Sequence, residues 1–284
     1  MQLPSHAFGS WLFVPGDDPK KLTKALGSDA DVVIYDLEDA VVPARKAAAR
    51  SLTLDALSNE ARPARYVRVN DLSSGHTAED VAQTIGGRPD GYVLPKCEGP
   101  HDIEALAKII RSHNCEHQPG VLAIATETVR GVRNLMRLDW SHPMLMGLTW
   151  GGEDLQADLG AHSNRSESGN YLSPFVMARD LTLFAAREAG VLAIDSVFTD
   201  FRDEAALIEE AQQAQTPGFD GKMAIHPNQI EPIRNSFLPD QKEKDWAIKV
   251  IELLEGSEQG VAQLDGRMLD RPHLRLAKKI LAHS

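Results

Sequence analysis

The sequence predicts an α/β chain folded as one (β/α)8 barrel over residues 1–236, with a helical extension over 237–284 that covers the barrel rim or a neighbouring subunit. Three observations carry this expectation. Eight short apolar runs recur with helix-like intervals between them, the alternation that parallel βα units require. The length of 284 residues suits one such barrel, which takes about 250, although two smaller domains would also fit. Several runs stop at a charged residue, and the C-terminal ends of parallel strands form the rim where ligands bind.

The runs are SWLFVP (10–15), DVVIYDLE (31–38), ARYVRVN (64–70), GYVLPK (91–96), VLAIATE (121–127), MLMGLTW (144–150), VLAIDSVF (191–198) and KMAIH (222–226). Each is a short, apolar, β-branched-rich stretch bounded by polar residues, as buried strands are. Helical patterns fill the gaps at Pro19–Leu26, Ala44–Leu57, Ala78–Ile85, Ile103–Ser112, Val129–Leu138, Pro174–Ala189 and Glu204–Ala214. Two more follow the last run, Lys242–Leu254 and Pro272–Leu281, separated by GVAQLDGRMLDRP, which is too polar and glycine-rich to be core. No short repeat, low-complexity tract or linker divides the chain.

Composition narrows the function. A charged fraction of 25% and a hydrophobic fraction of 42% describe an ordinary globular chain. The net charge of −11 argues against nucleic acid as a partner, because phosphate binding wants a basic surface. Cys97 and Cys115 form no CxxC pair, so neither a disulfide framework nor a zinc site is expected. The start, MQLPSHAFGS, lacks a basic segment followed by an apolar one, and no apolar run approaches membrane-spanning length. The expectation is a cytoplasmic protein with no membrane partner.

The stretch 121–155 carries the chemistry. Its two strand-like runs end at Glu127 and at Glu153–Asp154, with TVRGVRNLMRL between them long enough for a helix. Two carboxylates on one rim, with Gly151 and Gly152 letting the backbone come close, suit a hard divalent cation such as Mg²⁺, which takes one or two protein carboxylates and fills its shell with water and substrate oxygens. The competing reading makes these acids helix N-caps; Asp154 fits that role, whereas glutamate is a poor cap.

Other rim residues are candidates with open alternatives. Asp17 or Asp18 caps a helix with Pro19 in its first turn, and Lys20 and Lys24 then share a face, either for substrate phosphates or as a solvated surface. Asp36, Glu38 and Asp39 end the second run, as outer carboxylates orienting ligands or, for Asp39, as the cap of the next helix. Arg68, flanked by valines, points either at a substrate carboxylate or into a salt bridge with Glu38 or Glu127. Lys96 is a ligand contact or a structural ion pair, and His226 a base, a ligand or a hydrogen-bonded rim residue anchoring the turn at Pro227. The remaining histidines, among them His101, His113 and His117, show no metal-ligand spacing.

Taken in order, LFVPG, YDLEDAV, YVRVN, LPK, the glutamate after the fifth run, GGEDL, AIDSVFTDF, GFDGKMAIHPNQI and DGRMLDRP resemble the citrate lyase β-subunit-like family, which includes malyl-CoA and citramalyl-CoA lyases within the HpcH/HpaI aldolase group. The resemblance spans nearly the whole chain, and it is the ordered set that is specific. It implies a TIM barrel with Mg²⁺ on Glu127 and Asp154, a substrate-binding arginine at Arg68, and CoA contacts at Phe13, Lys20 and Lys24. Substrate-lining backbone would then fall at Ile225 and His226. It also implies a catalytic aspartate that reaches into an adjoining subunit, matched by Asp270 with Asp265 nearby, and hence a homo-oligomer, a trimer or a hexamer built from trimers. The chain departs from the family where Gly9 stands in place of an arginine before the LFVPG motif, and in the loop AHSNRSESGNY (161–171).

The activity implied is retro-Claisen cleavage of an acyl-CoA substrate, (S)-citramalyl-CoA or L-malyl-CoA, with Mg²⁺ as Lewis acid, Arg68 neutralising the 2-oxoacid and Asp270 protonating the acetyl-CoA enolate. The alternatives are a citrate lyase β subunit working on citryl carried by an acyl-carrier protein, and a non-catalytic acyl-CoA-binding barrel.

Overall fold

Eight parallel strands close into a barrel in chain order: β1 (Gly9–Pro15), β2 (Val32–Asp36), β3 (Ala64–Arg68), β4 (Gly91–Leu94), β5 (Gly120–Ile124), β6 (Leu145–Thr149), β7 (Leu192–Asp195) and β8 (Gly221–Ala224). The computed structural model describes residues 9–59, 63–113, 117–257 and 260–282. The first residues of the chain and Cys115 lie outside that range.

Strand alternation sorts side chains into two layers. Trp11, Ile34, Tyr66, Leu122, Ile194 and Met223 pack together inside the barrel, with Trp11 and Tyr66 edge to face at 5.0 Å. Their neighbours Leu12, Tyr35, Val67, Ala123 and Ala193 pack outward against the helices. Each large apolar side chain so buried contributes about 1.5–3 kcal/mol. The same alternation turns Asp36 and Arg68 inward at the rim, and Asp195 and Lys222 outward.

Helix α1 (Pro19–Leu26) shows how local sequence sets the elements. Asp18 accepts the N–H groups of Lys20 and Lys21, Pro19 takes the first helical position, and Leu22 and Ala25 are buried. Around the barrel follow α2 (Lys46–Leu57), α3 (Thr77–Thr84), α4 (Pro100–Arg111), α5 (Val129–Leu135), α6 (Gly152–Leu159), α7 (Ser173–Ala189), α8 (Glu204–Gln215) and α9 (Ile230–Phe237). The pattern reading missed α6 and α9. GEDLQADL is short and acidic and buries only Gly152 and Leu155, while α9 carries Pro232 in its first turn, where the missing N–H costs nothing. Gly9 has a reason of its own: its φ is +108°, and a Cβ there would meet Asp31 Oδ2 at 2.5 Å.

The extension comprises α10 (Gln241–Glu255), the strands β9 (Ala262–Leu264) and β10 (Arg267–Leu269), and α11 (Arg271–Ala282). The segment read as too polar and glycine-rich to be core is an antiparallel hairpin turning at Asp265 and Gly266, with φ of 48° and 77°. An Asp-Gly pair supplies the positive φ that such a turn needs. Leu269 joins Ala247, Val250, Leu254 and Ala277 in a small separate core. Lys279 of α11 donates to Asp220 Oδ1 at 2.8 Å, which ties this helix to the residue just before β8, at the foot of the barrel opposite the rim. Among the described residues no helix is long and apolar enough to cross a membrane.

Candidate active site

The rim is built outward from a pair fixed by sheet register. Asp36 and Arg68 are opposed across β2 and β3, and Arg68 donates from Nε and Nη2 to the two Asp36 oxygens at 2.7 Å each. Asp36 also accepts the N–H groups of Glu38 and Ala40, so one carboxylate both shapes the turn after β2 and aims the guanidinium. Burial pushes the Asp36 carboxyl up, but the Arg68 charge and these hydrogen bonds hold it below the usual carboxylate range. Glu38, 3.0 Å from Arg68 Nη1, receives less help and burial holds it above that range; its Oε2 is buried without a hydrogen-bond donor.

Glu127 follows β5 and is buried. It accepts the backbone N–H of Lys96, whose φ of +50° turns the chain after β4 toward it. Gly151 makes room, since a Cβ there would lie 2.9 Å from Glu127 Cγ. Burial, with the nearby Glu38 and Asp154 charges, pushes the Glu127 carboxyl up to about 8. Asp154 stands in the first turn of α6, capped by Gly151, where the helix dipole favours an acid. Lys96 Nζ reaches Glu38 Oε1 at 2.6 Å and Asp154 Oδ1 at 3.7 Å.

These residues surround a cavity of about 450 Å³ at the top of the barrel, lined on one side by Asp36, Arg68, Glu127 and Asp154 and on the other by Phe13, Ile124, Val197 and Met223. Phe13 lies under the Arg68 guanidinium at 4.8 Å. A second cavity of about 760 Å³ shares Phe13, Pro15 and Ile225 with the first and runs past Lys21, Lys24, His226 and Asn228. Trp150 lines the first cavity while its indole N–H donates outward to Asp195, the centre of a buried network with Lys222, Arg179 and Glu210.

Several expectations are thereby sorted. Arg68, Glu127, Asp154, Phe13 and Ile225 meet at one cavity, and Lys24 and His226 line the adjoining one. Lys21, which the sequence reading passed over, stands there beside Lys24, whereas Lys20 is not among the described lining residues. Its i,i+3 spacing to Lys24 on a capped helix was the available signal. Asp154 is not a cap, and Asp39 is not one either: no side chain caps α2, and Asp39 lies near Arg68 at 3.7 Å. Lys96 is an ion-pair residue. His226 accepts from the Asn228 N–H and stacks on Phe201 at 4.8 Å, contacts that anchor the turn while the residue lines the second cavity. Asp270 is not among the described residues lining either cavity; its Oδ1 lies 2.6 Å from His273 Nδ1.

The donor set suits a magnesium-like cation. Glu127 and Asp154 offer hard oxygens at adjacent strand ends, with the half-compensated Glu38 carboxylate beside them. No group of three or more metal-ligating side chains occurs among the described residues, so water and substrate oxygens would complete the shell.

Comparison with known proteins agrees with this fold. The chain is 34% identical over 98% of its length to a (3S)-malyl-CoA thioesterase of Cereibacter sphaeroides, covering 95% of that protein. It is also 34% identical over 97% of its length to the citrate lyase subunit beta of Escherichia coli, covering 92% of it. A crystal structure of CitE from Mycobacterium tuberculosis in complex with magnesium, acetoacetate and coenzyme A superposes with a TM-score of 0.81 at 33% identity, covering 98% of each chain. Residues 9–227 match the family model described as HpcH/HpaI aldolase/citrate lyase. The chain belongs to the HpcH/HpaI aldolase/citrate lyase family.

Proposed function

We propose that the chain is a Mg²⁺-dependent carbon–carbon lyase that cleaves a 3-hydroxyacyl-CoA with one distal carboxylate, (S)-citramalyl-CoA or L-malyl-CoA, to acetyl-CoA and a 2-oxoacid. The observation that carries this reading is the single cavity in which Arg68, Glu127 and Asp154 meet, joined through Phe13 and Ile225 to a second cavity edged by lysines. The relatives named for malyl-CoA and citrate chemistry, and the neighbour bound to magnesium and coenzyme A, support it.

Glu127 and Asp154 would hold the cation, which supplies Lewis acidity and a template for the substrate hydroxyl and carboxylate. Arg68 gives Nε and Nη2 to Asp36 and holds Nη1 3.0 Å from Glu38, so the N–H groups that remain are pre-aimed for the distal carboxylate and the 2-oxoacid that forms. The hydroxyl proton passes to water as the carbon–carbon bond breaks, the bonding pair leaves with the acetyl-CoA enolate, and Asp270 of a neighbouring subunit, as the carboxylic acid, protonates that enolate at carbon and regains its proton from water. This role requires a homo-oligomer, and the family resemblance points to a trimer or an assembly of trimers.

Hydrolysis of the thioester is a second reading, favoured by the relation to the malyl-CoA thioesterase.

A panel of acyl-CoA thioesters incubated with MgCl₂ separates these readings. Acetyl-CoA together with pyruvate or glyoxylate is expected. Free coenzyme A with intact hydroxyacid would replace the lyase by a thioesterase, and binding without turnover would leave a non-catalytic barrel. Oxaloacetate release, or co-purification with an acyl-carrier protein, would restore the citrate lyase subunit.

A further inference from the structure

Lys96 is an ion-pair residue whose ammonium serves two other strand ends. It holds a left-handed backbone conformation, φ +50°, that a lysine adopts only at a cost, and its N–H bonds to the Glu127 carboxylate. Its ammonium, meanwhile, crosses to other strand ends, 2.6 Å from Glu38 Oε1 after β2 and 3.7 Å from Asp154 Oδ1 after β6. Five carboxylates converge here, Asp36, Glu38, Asp39, Glu127 and Asp154, against two cations, Arg68 and Lys96. Acids outnumber bases, an imbalance that a divalent cation reduces. The two cations differ in kind. Arg68 is locked by the Asp36 fork and only 12% exposed, whereas Lys96 is 32% exposed and touches Asp154 at the outer limit of an ion pair.

We propose that Lys96 is the counter-ion of the acid cluster in the absence of metal: it holds Glu38 and Asp154 together, and it gives up Asp154 when a divalent cation binds. Lys96 thus sets cation affinity by competition, and it keeps the rim folded in the metal-free protein. The inference rests on the reading of Glu127 and Asp154 as the metal ligands.

The test uses the full chain freed of metal by chelation, with MgCl₂ alone as probe. Thermal midpoints and calorimetric Kd are compared for the wild type, Lys96→Met and Lys96→Arg. Methionine keeps the unbranched stem and the same backbone cost, so the difference reports the charge. Lys96→Met should melt earlier without metal, bind Mg²⁺ about fivefold tighter or more, as expected when a partly screened like charge paired with a metal ligand is removed, and show a larger Mg²⁺-induced rise in Tm. Lys96→Arg should stay close to the wild type. If the wild type binds Mg²⁺ and Lys96→Met binds it equally or more weakly, Lys96 does not compete and the inference falls while the metal reading stands. If the wild type shows neither heat nor Tm shift with Mg²⁺, both fall. Should Lys96→Met fail to fold, Lys96→Gln carries the same comparison.

Discussion

Asp36 and Arg68 sit opposite each other in the β2–β3 register and share two 2.7 Å hydrogen bonds in the lining of the cavity. A fork fixed on one side presents its remaining donors in one orientation, which a lysine cannot reproduce. Arg68→Lys should therefore fold and bind Mg²⁺ like the wild type but lose about 10²-fold in kcat/KM, the scale of a displaced positioning group. A loss below threefold would show that Arg68 serves only the structural pair with Asp36.

Glu127 gives a pH signature in the metal-free protein. Its folded carboxyl titrates at about 8, above the ordinary value of 4.5, so between those pH values the native state holds a proton that the unfolded chain has lost. The stability this contributes is full below pH 4.5 and disappears as pH rises through 8. In chelator-treated protein, Glu127→Gln should thus gain stability relative to the wild type as pH rises from 5 to 8.5, measured by denaturant titration. A stability difference that stays flat over that range would contradict the buried, acid-crowded setting of this carboxyl.

On the outer face of the barrel, Lys222 and Asp195 repeat the register logic at 2.6 Å, with Glu210 at 2.9 Å from the same ammonium. Both partners of the pair are fully buried. Burial pushes the Asp195 carboxyl up, but Lys222 and Arg179 hold it below its usual range, so its stabilising contribution is present above the unfolded pKa and lost as pH falls through the depressed value. Lys222→Met should cost about 3–5 kcal/mol, because it strands buried carboxylates. A change under 1 kcal/mol by denaturant titration would mean that Arg179 alone compensates Asp195.

Strand-end charges were legible because the strands around them are short, apolar and acid-terminated: Glu127, Asp154 and Arg68 stood out in VLAIATE, GGEDL and YVRVN. Their partners were less so. The Asp36–Arg68 and Lys96–Glu38 contacts follow from register and from a left-handed residue, neither of which periodicity reveals. Helix α6 was hidden because its exposed acidic face leaves almost no apolar stripe, whereas the β9–β10 hairpin carried a readable Asp265–Gly266 signal that polarity obscured. Lys21 escaped because i,i+4 spacing favoured Lys20, while the cavity lies on the side of Lys21 and Lys24.

That placement separates the lysines. Lys24→Ala should raise KM for the acyl-CoA about three- to tenfold with kcat little changed, the pattern of lost uniform binding. Lys20→Ala should do less than Lys21→Ala. Equal KM for all three variants and the wild type would return α1 to a solvated face.

Asp270 directly precedes α11, and nine residues on, Lys279 anchors that helix to Asp220 at the foot of the barrel. The extension thus holds to the end of its own barrel opposite the rim, which supports the proposal that Asp270 completes a neighbour's site. Complementation tests it. Asp270→Ala and Glu127→Gln should each be inactive alone, the first with Mg²⁺ binding retained. If Asp270 acts across subunits, a mixed oligomer contains sites that pair an intact Glu127 from one chain with an intact Asp270 from the next. If it acts within its own subunit, every site in the mixture carries one lesion. Co-refolding the two variants should therefore restore a fraction of wild-type activity that depends on the mixing ratio. Mixed oligomers confirmed by mass that stay inactive would place Asp270 outside the neighbour's site.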